Sequence, residues 1–281
     1  MGHFTAPAHL PFAGAAVVVT AYLVRHPDGP VLLDTGIGVG LPEVEAMYKP
    51  VRTALDDVLR DAGTSVAEVR AVANCHLHFD HSGQNYLIPP GVPIFVQRAE
   101  WAMVHEPDYT VPEWVDVPGL SYEVLDGEFE VAPGLRLIPT PGHTAGHQSL
   151  VLDGPDGTVV LAGQAVQSRD EWGGATEPSA SGAAAARDPS YPRSVERLRS
   201  LDPVRVHFAH DAFGDLEALL RTYGELRDNV FHTEYAVPRL LARNGLSLQD
   251  FDFYEIHEAF ASQVLTTLAA LEETHGPIDR S

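Results

Sequence analysis

The chain has 281 residues with a formal net charge of -21 at pH 7, and Lys49 is its only lysine. That length suits one large α/β domain or a domain with an appendage, and a hydrophobic content of 44% is enough for a sizeable core. The charge excludes the basic face that binding to nucleic acid or to an anionic membrane surface requires, so we expect a small molecule as the partner.

Two further features indicate the compartment. Cys75 is the only cysteine, which excludes an internal disulfide, and we interpret it as a small buried strand residue rather than a nucleophile or metal ligand. The apolar stretch 10–24 lacks the basic start of a signal peptide, because Arg25 is the first Lys or Arg of the chain. No segment is long enough to span a membrane. We therefore expect a soluble, cytoplasmic protein.

In chain order, residues 15–24 predict a strand, residues 26–30 a turn and residues 31–34 the returning strand. Residues 36–50 predict a glycine-rich loop, and apolar residues at helical spacing predict a helix over 51–62. The further predicted elements are strands at 71–75, 94–96, 135–139, 158–162 and 204–208, helices at 100–104 and 190–201, and loops at 105–120 and 168–189.

The segment 75–83 gathers three imidazoles and one carboxylate within six positions. His76 and His78 are two residues apart and point the same way in an extended chain, whereas Asp80 and His81 follow where the chain turns and aim at a second point. Imidazole and carboxylate are the usual ligands of a hydrolytic Zn²⁺ site, and they suit iron or manganese as well. The alternative is a loop of ordinary hydrogen-bonded polar residues, but such clustering favours a metal site.

The order His-x-His-x-Asp-His at 76–81 resembles the signature of the metallo-β-lactamase-fold hydrolases, and the resemblance covers residues of about 14–212. The Thr-Pro-Gly-His turn at 140–143 and the overall lengths resemble the N-acyl homoserine lactonase-like branch of that family. Strands and helices alternate in both halves, with candidate ligands at strand ends. This pattern predicts an α/β fold, a four-layer αββα sandwich with the site at one edge between the sheets.

The resemblance implies ligands that are distant in the chain. His143 matches the family's third ligand motif, and the nearby His147 is expected to support the loop or to open the next strand. His210, at the end of a late strand, matches the last ligand and is preferred to His207 because ligands in open α/β sites gather at strand ends. Asp34, in an Asp-Thr-Gly sequence, matches a residue that lies under the metal site and supports it.

Two positions depart from the family's pattern. Gln164 stands where the family usually has an Asp that bridges two metals, and a neutral amide is a far weaker bridge. Gln167 stands where the lactonase branch tends to have Tyr. We therefore expect one or two Zn²⁺ ions per chain, the second bound weakly.

The site residues are assigned as follows. The ligands of the first metal position are His76, His78 and His143. Those of the second position are Asp80, His81, His210 and, as a weak or non-bridging member, Gln164. Such a metal lowers the pKa of a bound water to about 7 and supplies hydroxide for attack on a lactone or other ester carbonyl. Asp80 is assigned as the catalytic residue: the resemblance implies that it orients the nucleophile, and beside a single metal it could act as general base.

The substrate pocket is assigned to Tyr48, Trp114 and Gln167. Trp114 lies in the predicted loop 105–120, where it could line the pocket or equally hold the loop in place. Three alternatives stay open: a thioesterase of the same fold, an iron oxidoreductase or dioxygenase, and a decayed binding or scaffold protein, for which Gln164 is the argument.

The two domains are expected at 1–212, the hydrolase domain, and at 213–281, a helical extension. Residues of about 233–273 resemble an internal piece of thiolase (acetyl-CoA acyltransferase), including its His-Glu-Ala-Phe-Ala stretch at 257–261. A working thiolase needs two cysteines that this chain lacks, so we predict no thiolase activity and interpret His257 as structural. An apolar stripe on the predicted helix must pack on the first domain or on a second subunit, which makes a homodimer through the extension possible.

Overall fold

The computed structural model describes residues 2–7, 14, 16–166, 169–174 and 190–210. The chain divides into two units, Met1–Phe213 and Gly214–Ser281, and every described residue belongs to the first. The predicted helical extension with its thiolase-like segment therefore lies outside the described residues, as does Gln167. Among the described helices, none is both long and apolar enough to cross a bilayer.

The secondary structure alternates between strands and short helices. The described strands are β1 (Gly2–Thr5), β2 (Ala16–Val19), β3 (Tyr22–Val24), β4 (Val31–Leu33), β5 (Val51–Arg52), β6 (Ala71–Ala73), β7 (Pro93–Gln97), β8 (Ser121–Leu125), β9 (Phe129–Ala132), β10 (Leu135–Pro139), β11 (Gln148–Gly154), β12 (Gly157–Leu161) and β13 (Arg205–His207). The described α-helices are α1 (Pro42–Tyr48), α2 (Leu55–Asp61), α3 (Phe79–Ser82), α4 (Arg98–Trp101), α5 (Pro112–Val115), α6 (Arg169–Trp172) and α7 (Ser190–Ser200). The described residues also include 3₁₀ turns at Val66–Glu68 and Asn85–Leu87.

The described strands form two five-stranded sheets and one three-stranded sheet. The first five-stranded sheet has the order β3-β4-β6-β7-β8, the second has the order β13-β12-β11-β10-β9, and the small sheet has the order β2-β1-β5. In the first sheet β4, β6, β7 and β8 run parallel, so their carboxyl ends meet at one edge. In the second sheet only β12 and β13 are parallel among the described strands.

The two five-stranded sheets pack face to face, and alternate residues of each strand point into the space between them. Val31 and Leu33 of β4 belong to the core between the sheets, together with Leu137 of β10. Leu32 lies between them in the chain and points to the opposite face, where it packs with Leu59 of α2. This alternation is the period of two that a β-strand imposes.

A second helix covers the outer face of the other sheet. Leu198 of α7 packs there with Ile138 of β10 and Val160 of β12. The layers therefore run helix, sheet, sheet, helix, which confirms the predicted four-layer αββα sandwich.

The candidate site lies at the edge where strands of both sheets end. The chain leaves β6 just before residues 75–83, and it leaves β10 just before His143. β12 leads in the same way to Gln164, and β13 leads to His210. Strand ends thus bring together side chains that the sequence separates widely.

The prediction of one strand over residues 15–24 is wrong, because the chain there forms two strands of different sheets. β2 pairs with β1 in the small sheet, and β3 pairs with β4 in a five-stranded sheet. The break falls at Thr20, whose hydroxyl donates to the carbonyl of Ala209 at 2.8 Å, 189 positions away. A contact this distant leaves no trace in local β-propensity.

The glycine-rich loop predicted over 36–50 contains α1, which is a second correction. Pro42 begins this helix, where its missing N–H has no partner to lose. Glu43 and Glu45 lie in the first turn, where acidic side chains stabilise a helix. Lys49 ends the helix in the left-handed conformation, with φ 45°.

Several more boundaries differ from the sequence predictions, and the helix predicted over 100–104 is observed as α4 at Arg98–Trp101. The helix predicted over 51–62 begins only at Leu55, because Val51 pairs with His3 of β1 and remains 58% exposed. The loop predicted over 105–120 contains the short helix α5. The pairing of Val51 with the distant strand β1 overrides the helical spacing of residues 51–54.

Candidate metal centre

Three imidazoles converge where β6 and β10 end. His76 Nε2 lies 3.0 Å from His78 Nδ1, and His143 Nε2 lies 3.2 Å from the same His78 nitrogen. His143 reaches this point from a turn in which Gly142 has φ 150° and a Cβ would lie 2.8 Å from the Cα of Tyr191. Nitrogen ligands about 2.0–2.1 Å from a tetrahedral metal lie about 3.3 Å from one another, so the spacing of this first triad fits one metal ion.

The imidazoles of the first triad are neutral near pH 7. Burial lowers the pKa of His78 to about 4. Burial, together with the neighbouring imidazoles, lowers the pKa of His76 and of His143 well below the usual value. Neutral imidazole is the form that binds a metal, because its unprotonated ring nitrogen is the donor.

Asp80, His81 and His210 form a second triad beside the first. His81 Nε2 lies 3.3 Å from His210 Nε2, and the Asp80 carboxylate lies 3.5 Å from the first of these nitrogens and 3.6 Å from the second. Each of the three side chains is buried, and Asp80 is only 5% exposed. The three donor atoms are close enough to share one metal ion.

Contacts on the far side of each ring orient the histidines of the second triad. His81 Nδ1 lies 2.9 Å from the carboxylate of Asp34, and His210 Nδ1 donates to the carbonyl of Val18. With Nδ1 engaged in both rings, Nε2 faces the site. Asp34 thus lies under the site, in the supporting position that the sequence predicts.

The two histidines of the second triad differ in charge. Burial pulls the pKa of His81 down, but the charges of Asp80 and Asp34 outweigh it and raise the pKa to about 9. Burial lowers the pKa of His210 to about 4. A metal ion held by the second triad would therefore displace a proton from His81 at pH 7, whereas the first triad has none to lose.

Gln164 lies next to the second triad, close enough to His81 to contribute to its raised pKa. Its backbone N–H donates to His147 Nε2 at 3.0 Å. Its side-chain oxygen is buried and has no hydrogen-bond partner within the described part of the chain. A buried polar atom without a partner is rare, so an amide oxygen of this kind beside imidazole nitrogens fits a bound cation.

Two other histidines of the sequence have supporting positions. His147 contacts Thr140 Oγ1 at 2.9 Å through Nδ1 and accepts from Gln164 through Nε2, so it holds the His143 loop, as expected. The ring of His207 packs on the ring of Tyr22, with 5.7 Å between centroids. Its position accords with the preference for His210.

Cys75 is fully buried, and its Sγ lies 3.0 Å from Asp34 Oδ2 and 3.0 Å from His76 Nδ1. Cys75, His76 and His81 make a third group of donor atoms at metal-binding spacing. Burial, and then the charge of Asp34, raise the pKa of the Cys75 thiol well above its usual value. A protonated thiol is a poor ligand, which supports the interpretation of Cys75 as a structural residue.

The predicted pocket residues occupy different positions. Tyr48 is half-buried, and its ring lies 4.3 Å from the ring of Phe79. Its pKa is raised, mainly by burial and to a smaller extent by the charge of Asp80. Tyr48 therefore lies near the second triad. Trp114 is buried and donates to the carbonyl of Val39 at 3.1 Å. This contact favours the interpretation that Trp114 holds its loop in place.

Sequence reasoning missed two buried residues that join the parts of the site. The amide of Gln148 donates to the carbonyl of Asn74 at 2.8 Å and so ties the second sheet to the strand before His76. The carboxylate of Glu100 accepts from the amide of Leu77 at 2.8 Å. Neither residue belongs to a motif that the sequence would reveal. Glu100 in particular lies in the first turn of α4, where an acidic residue is ordinary.

The comparisons with known proteins agree with this geometry. Residues 14–210 match the family model of the metallo-beta-lactamase superfamily, and residues 227–277 match that of the thiolase C-terminal domain. Both resemblances seen in the sequence are thereby confirmed.

Three relatives are informative. An N-acyl homoserine lactonase of a Bacillus species is 32% identical over 167 residues, which are 55% of this chain and 66% of that protein. N-acyl homoserine lactonase AttM of Rhizobium johnstonii is 31% identical over 209 residues, which are 66% of this chain and 77% of that protein. An N-acyl homoserine lactone hydrolase, solved with the product N-hexanoyl-L-homoserine at its catalytic metal centre, has a TM-score of 0.63 and 27% identity, covering 75% of this chain and 90% of that one.

The chain spans slightly less than two thirds of the length of the Bacillus lactonases that it matches. The family model nevertheless covers well over half of the chain, and the fold and the two triads lie within that part. The chain therefore belongs to the metallo-beta-lactamase superfamily.

Proposed function

We propose that this protein is a metal-dependent hydrolase that opens the ring of N-acyl homoserine lactones, a quorum-quenching activity. The observation that carries the proposal is the convergence of two triads, His76 with His78 and His143, and Asp80 with His81 and His210, at one edge of the sandwich. The similarity to proteins named N-acyl homoserine lactonase supports the choice of substrate.

The first triad would hold one metal ion and the second triad another, with Zn²⁺ the ion of choice and iron or manganese also suited to imidazole and carboxylate ligands. A bound ion of this kind polarises the substrate carbonyl and lowers the pKa of a coordinated water. The imidazoles of the first triad are already neutral at pH 7, so they bind without losing a proton.

Asp80 is the general base of the proposed reaction. Its carboxylate is nearly buried and lies within 3.6 Å of both imidazole nitrogens of the second triad. It orients the attacking water and takes a proton from it as general base. Water adds to the lactone carbonyl carbon, the ring C–O bond breaks, and the released alkoxide receives the proton that Asp80 took up.

Gln164 makes the two metal positions unequal. Its amide offers one neutral oxygen where a carboxylate would offer charge and two oxygens. The orphaned Oε1 can still coordinate, so we infer a tight first position and a weak second one.

The experiment compares the hydrolysis of a series of acyl homoserine lactones, followed by acid release, for wild type and for His76→Ala and His143→Ala. We expect both variants to lose activity. The matched control is His105→Ala, because the His105 side chain is 71% exposed and pairs with Asp116 on the surface. If either triad variant hydrolyses lactones as fast as wild type, the proposal fails.

A scaffold protein with a decayed site is the second candidate, and Gln164 is the observation that favours it. It predicts that the wild type neither binds metal nor hydrolyses lactones, thioesters or other esters. The cytoplasmic location, dimerisation through residues 213–281, and the exclusion of nucleic-acid and membrane partners stay predictions from sequence.

A further inference from the structure

Glu100 is a fully buried carboxylate that lies between the two loops carrying the first triad. Its Oε1 accepts from the amide of Leu77 at 2.8 Å. Its Oε2 accepts from the hydroxyl of Thr144 at 2.6 Å. Leu77 lies between His76 and His78, and Thr144 directly follows His143. One side chain thus joins the two chain segments that must meet at a single metal ion.

The fit between Glu100 and the second of these loops is tight. A Cβ on Gly146 would lie 2.1 Å from the backbone nitrogen of Glu100 and 2.5 Å from its Cα. Only glycine therefore allows the His143 loop to approach α4 this closely. The close approach is a second observation, independent of the hydrogen bonds, that the loop is seated on Glu100.

Glu100 also contacts the loop that follows α4, which lies beside His78. The hydroxyl of Tyr109 donates to Oε1 of Glu100, and the ring of Tyr109 lies 5.0 Å from the ring of His78, between centroids. The hydroxyl of Thr110 donates to the carbonyl of Leu77. The residues after α4 are thereby attached to the same peptide that separates two of the ligands.

We propose that Glu100 is a positioning residue that holds the His76–His78 segment and the His143 loop at the separation the first metal ion requires. This inference rests on the proposed function, because it presupposes that the first triad binds a metal. Hydrogen bonds to a carboxylate are stronger than those between neutral groups, and a buried one replaced by a neutral group leaves its donors without full partners. Groups that orient metal ligands in this way change metal affinity by about 10- to 100-fold when they are replaced.

Replacement of Glu100 should change metal affinity at the first triad only. The histidines of the second triad are oriented by Asp34 and by the carbonyl of Val18 instead. Loss of the Glu100 carboxylate should therefore weaken the tight metal position and leave the weak one nearly unchanged.

The test measures Zn²⁺ affinity by competition with a chromophoric chelator, on the full chain, for wild type, Glu100→Gln and Thr144→Val. Glu100→Gln keeps the shape and one acceptor oxygen, and Thr144→Val removes only the hydroxyl donor on the His143 loop. We expect Glu100→Gln to weaken the tight position about 10- to 100-fold and Thr144→Val to weaken it by a smaller factor of the same sign.

The control is Leu59→Ala, a cavity variant in the core on the outer face of the first sheet, where Leu59 packs with Leu32. It should lower the unfolding temperature without changing Zn²⁺ affinity. If Glu100→Gln and Thr144→Val both bind Zn²⁺ as tightly as wild type, the inference about Glu100 is overturned while the proposed function stands. If the wild type itself binds none of Zn²⁺, Fe²⁺ and Mn²⁺, the proposed function fails with it. If Leu59→Ala loses as much Zn²⁺ affinity as Glu100→Gln, the loss reflects reduced stability of the whole domain, and the positioning role of Glu100 is overturned.

Discussion

The carboxylate of Asp34 lies 2.9 Å from Nδ1 of His81, and together with the charge of Asp80 it keeps this histidine protonated while the others of the site are neutral. Asp34 holds this position with φ 66°, a left-handed conformation that is uncommon for a residue other than glycine. Its other carboxylate oxygen accepts from the amide of Cys75 at 2.8 Å. The strand ends of β4 and β6 are thereby joined beneath the second triad.

A dependence of stability on pH follows for the metal-free protein. The pKa of His81 is raised to about 9 in the folded state, above the usual 6.5, so the folded state holds its proton more tightly than the unfolded state. This stabilisation is complete below pH 6.5 and is lost as pH rises to 9, with a change on the order of 3 kcal/mol. Urea unfolding of chelator-treated protein at pH 6.5 and at pH 9 measures it.

Asp34→Asn is the matched variant for that experiment, because it removes the charge and keeps the shape. Its stability should change less between pH 6.5 and 9 than that of wild type, with the charge of Asp80 responsible for the dependence that remains. Equal pH dependence in the two proteins would mean that the pair of Asp34 and His81 is not the cause.

Asp80→Asn should slow turnover strongly while the first metal ion stays bound. Removal of a general base costs about 10²- to 10⁴-fold in rate. We expect kcat to fall by a factor in this range, with the tight Zn²⁺ equivalent retained, because Asp80 belongs to the second triad. Rates and metal content are measured on the same preparation. A variant that keeps more than a tenth of wild-type kcat would contradict the role of Asp80.

Gln164→Asp should convert the weak second position into a tight one. The side-chain oxygen of Gln164 is buried without a partner among the described residues, and a carboxylate there adds charge opposite His81 and His210. We expect the number of Zn²⁺ ions retained after dialysis to rise from near one to near two. Gln164→Ala, which removes the oxygen altogether, serves as the control and should stay at one. No gain of metal in Gln164→Asp would show that Gln164 does not limit the second position.

Trp114→Phe distinguishes the two interpretations of Trp114. Its ring nitrogen donates to the carbonyl of Val39, and a Cβ on Gly38 would lie 2.4 Å from the indole. If Trp114 holds its loop in place, the variant loses about 1–2 kcal/mol of unfolding free energy while KM for short and long acyl chains changes alike. A KM change confined to long acyl chains, with stability intact, would assign Trp114 to the pocket instead.

The layered fold could be predicted from sequence because it rests on local patterns. Strand β10 matches its predicted residues, and helix α7 ends one residue before the predicted boundary. Val31, Leu32 and Leu33 form a continuous apolar run, as expected of a strand that is buried on both faces. Helix α1 was missed because glycine and proline content outweighed its acidic first turn.

Some residues of the site can likewise be predicted from the local sequence, whereas others depend on how distant segments pack. The ligand cluster at 76–81 lies within six consecutive positions, so its spacing in the sequence alone indicates a metal site. His143 and His210 could be assigned only by resemblance to a family, because their positions depend on how two sheets pack. Glu100 could not be found from sequence, since its importance arises from loops that meet only after folding.

The most direct test of the metal centre is the Zn²⁺ content per chain by elemental analysis, on protein purified without added metal or chelator and then dialysed. The geometry predicts one tightly held equivalent, from His76, His78 and His143, and a second that appears only when free Zn²⁺ is present. Near-zero content that persists after incubation with Zn²⁺, Fe²⁺ and Mn²⁺ would contradict the metal centre and favour the scaffold protein.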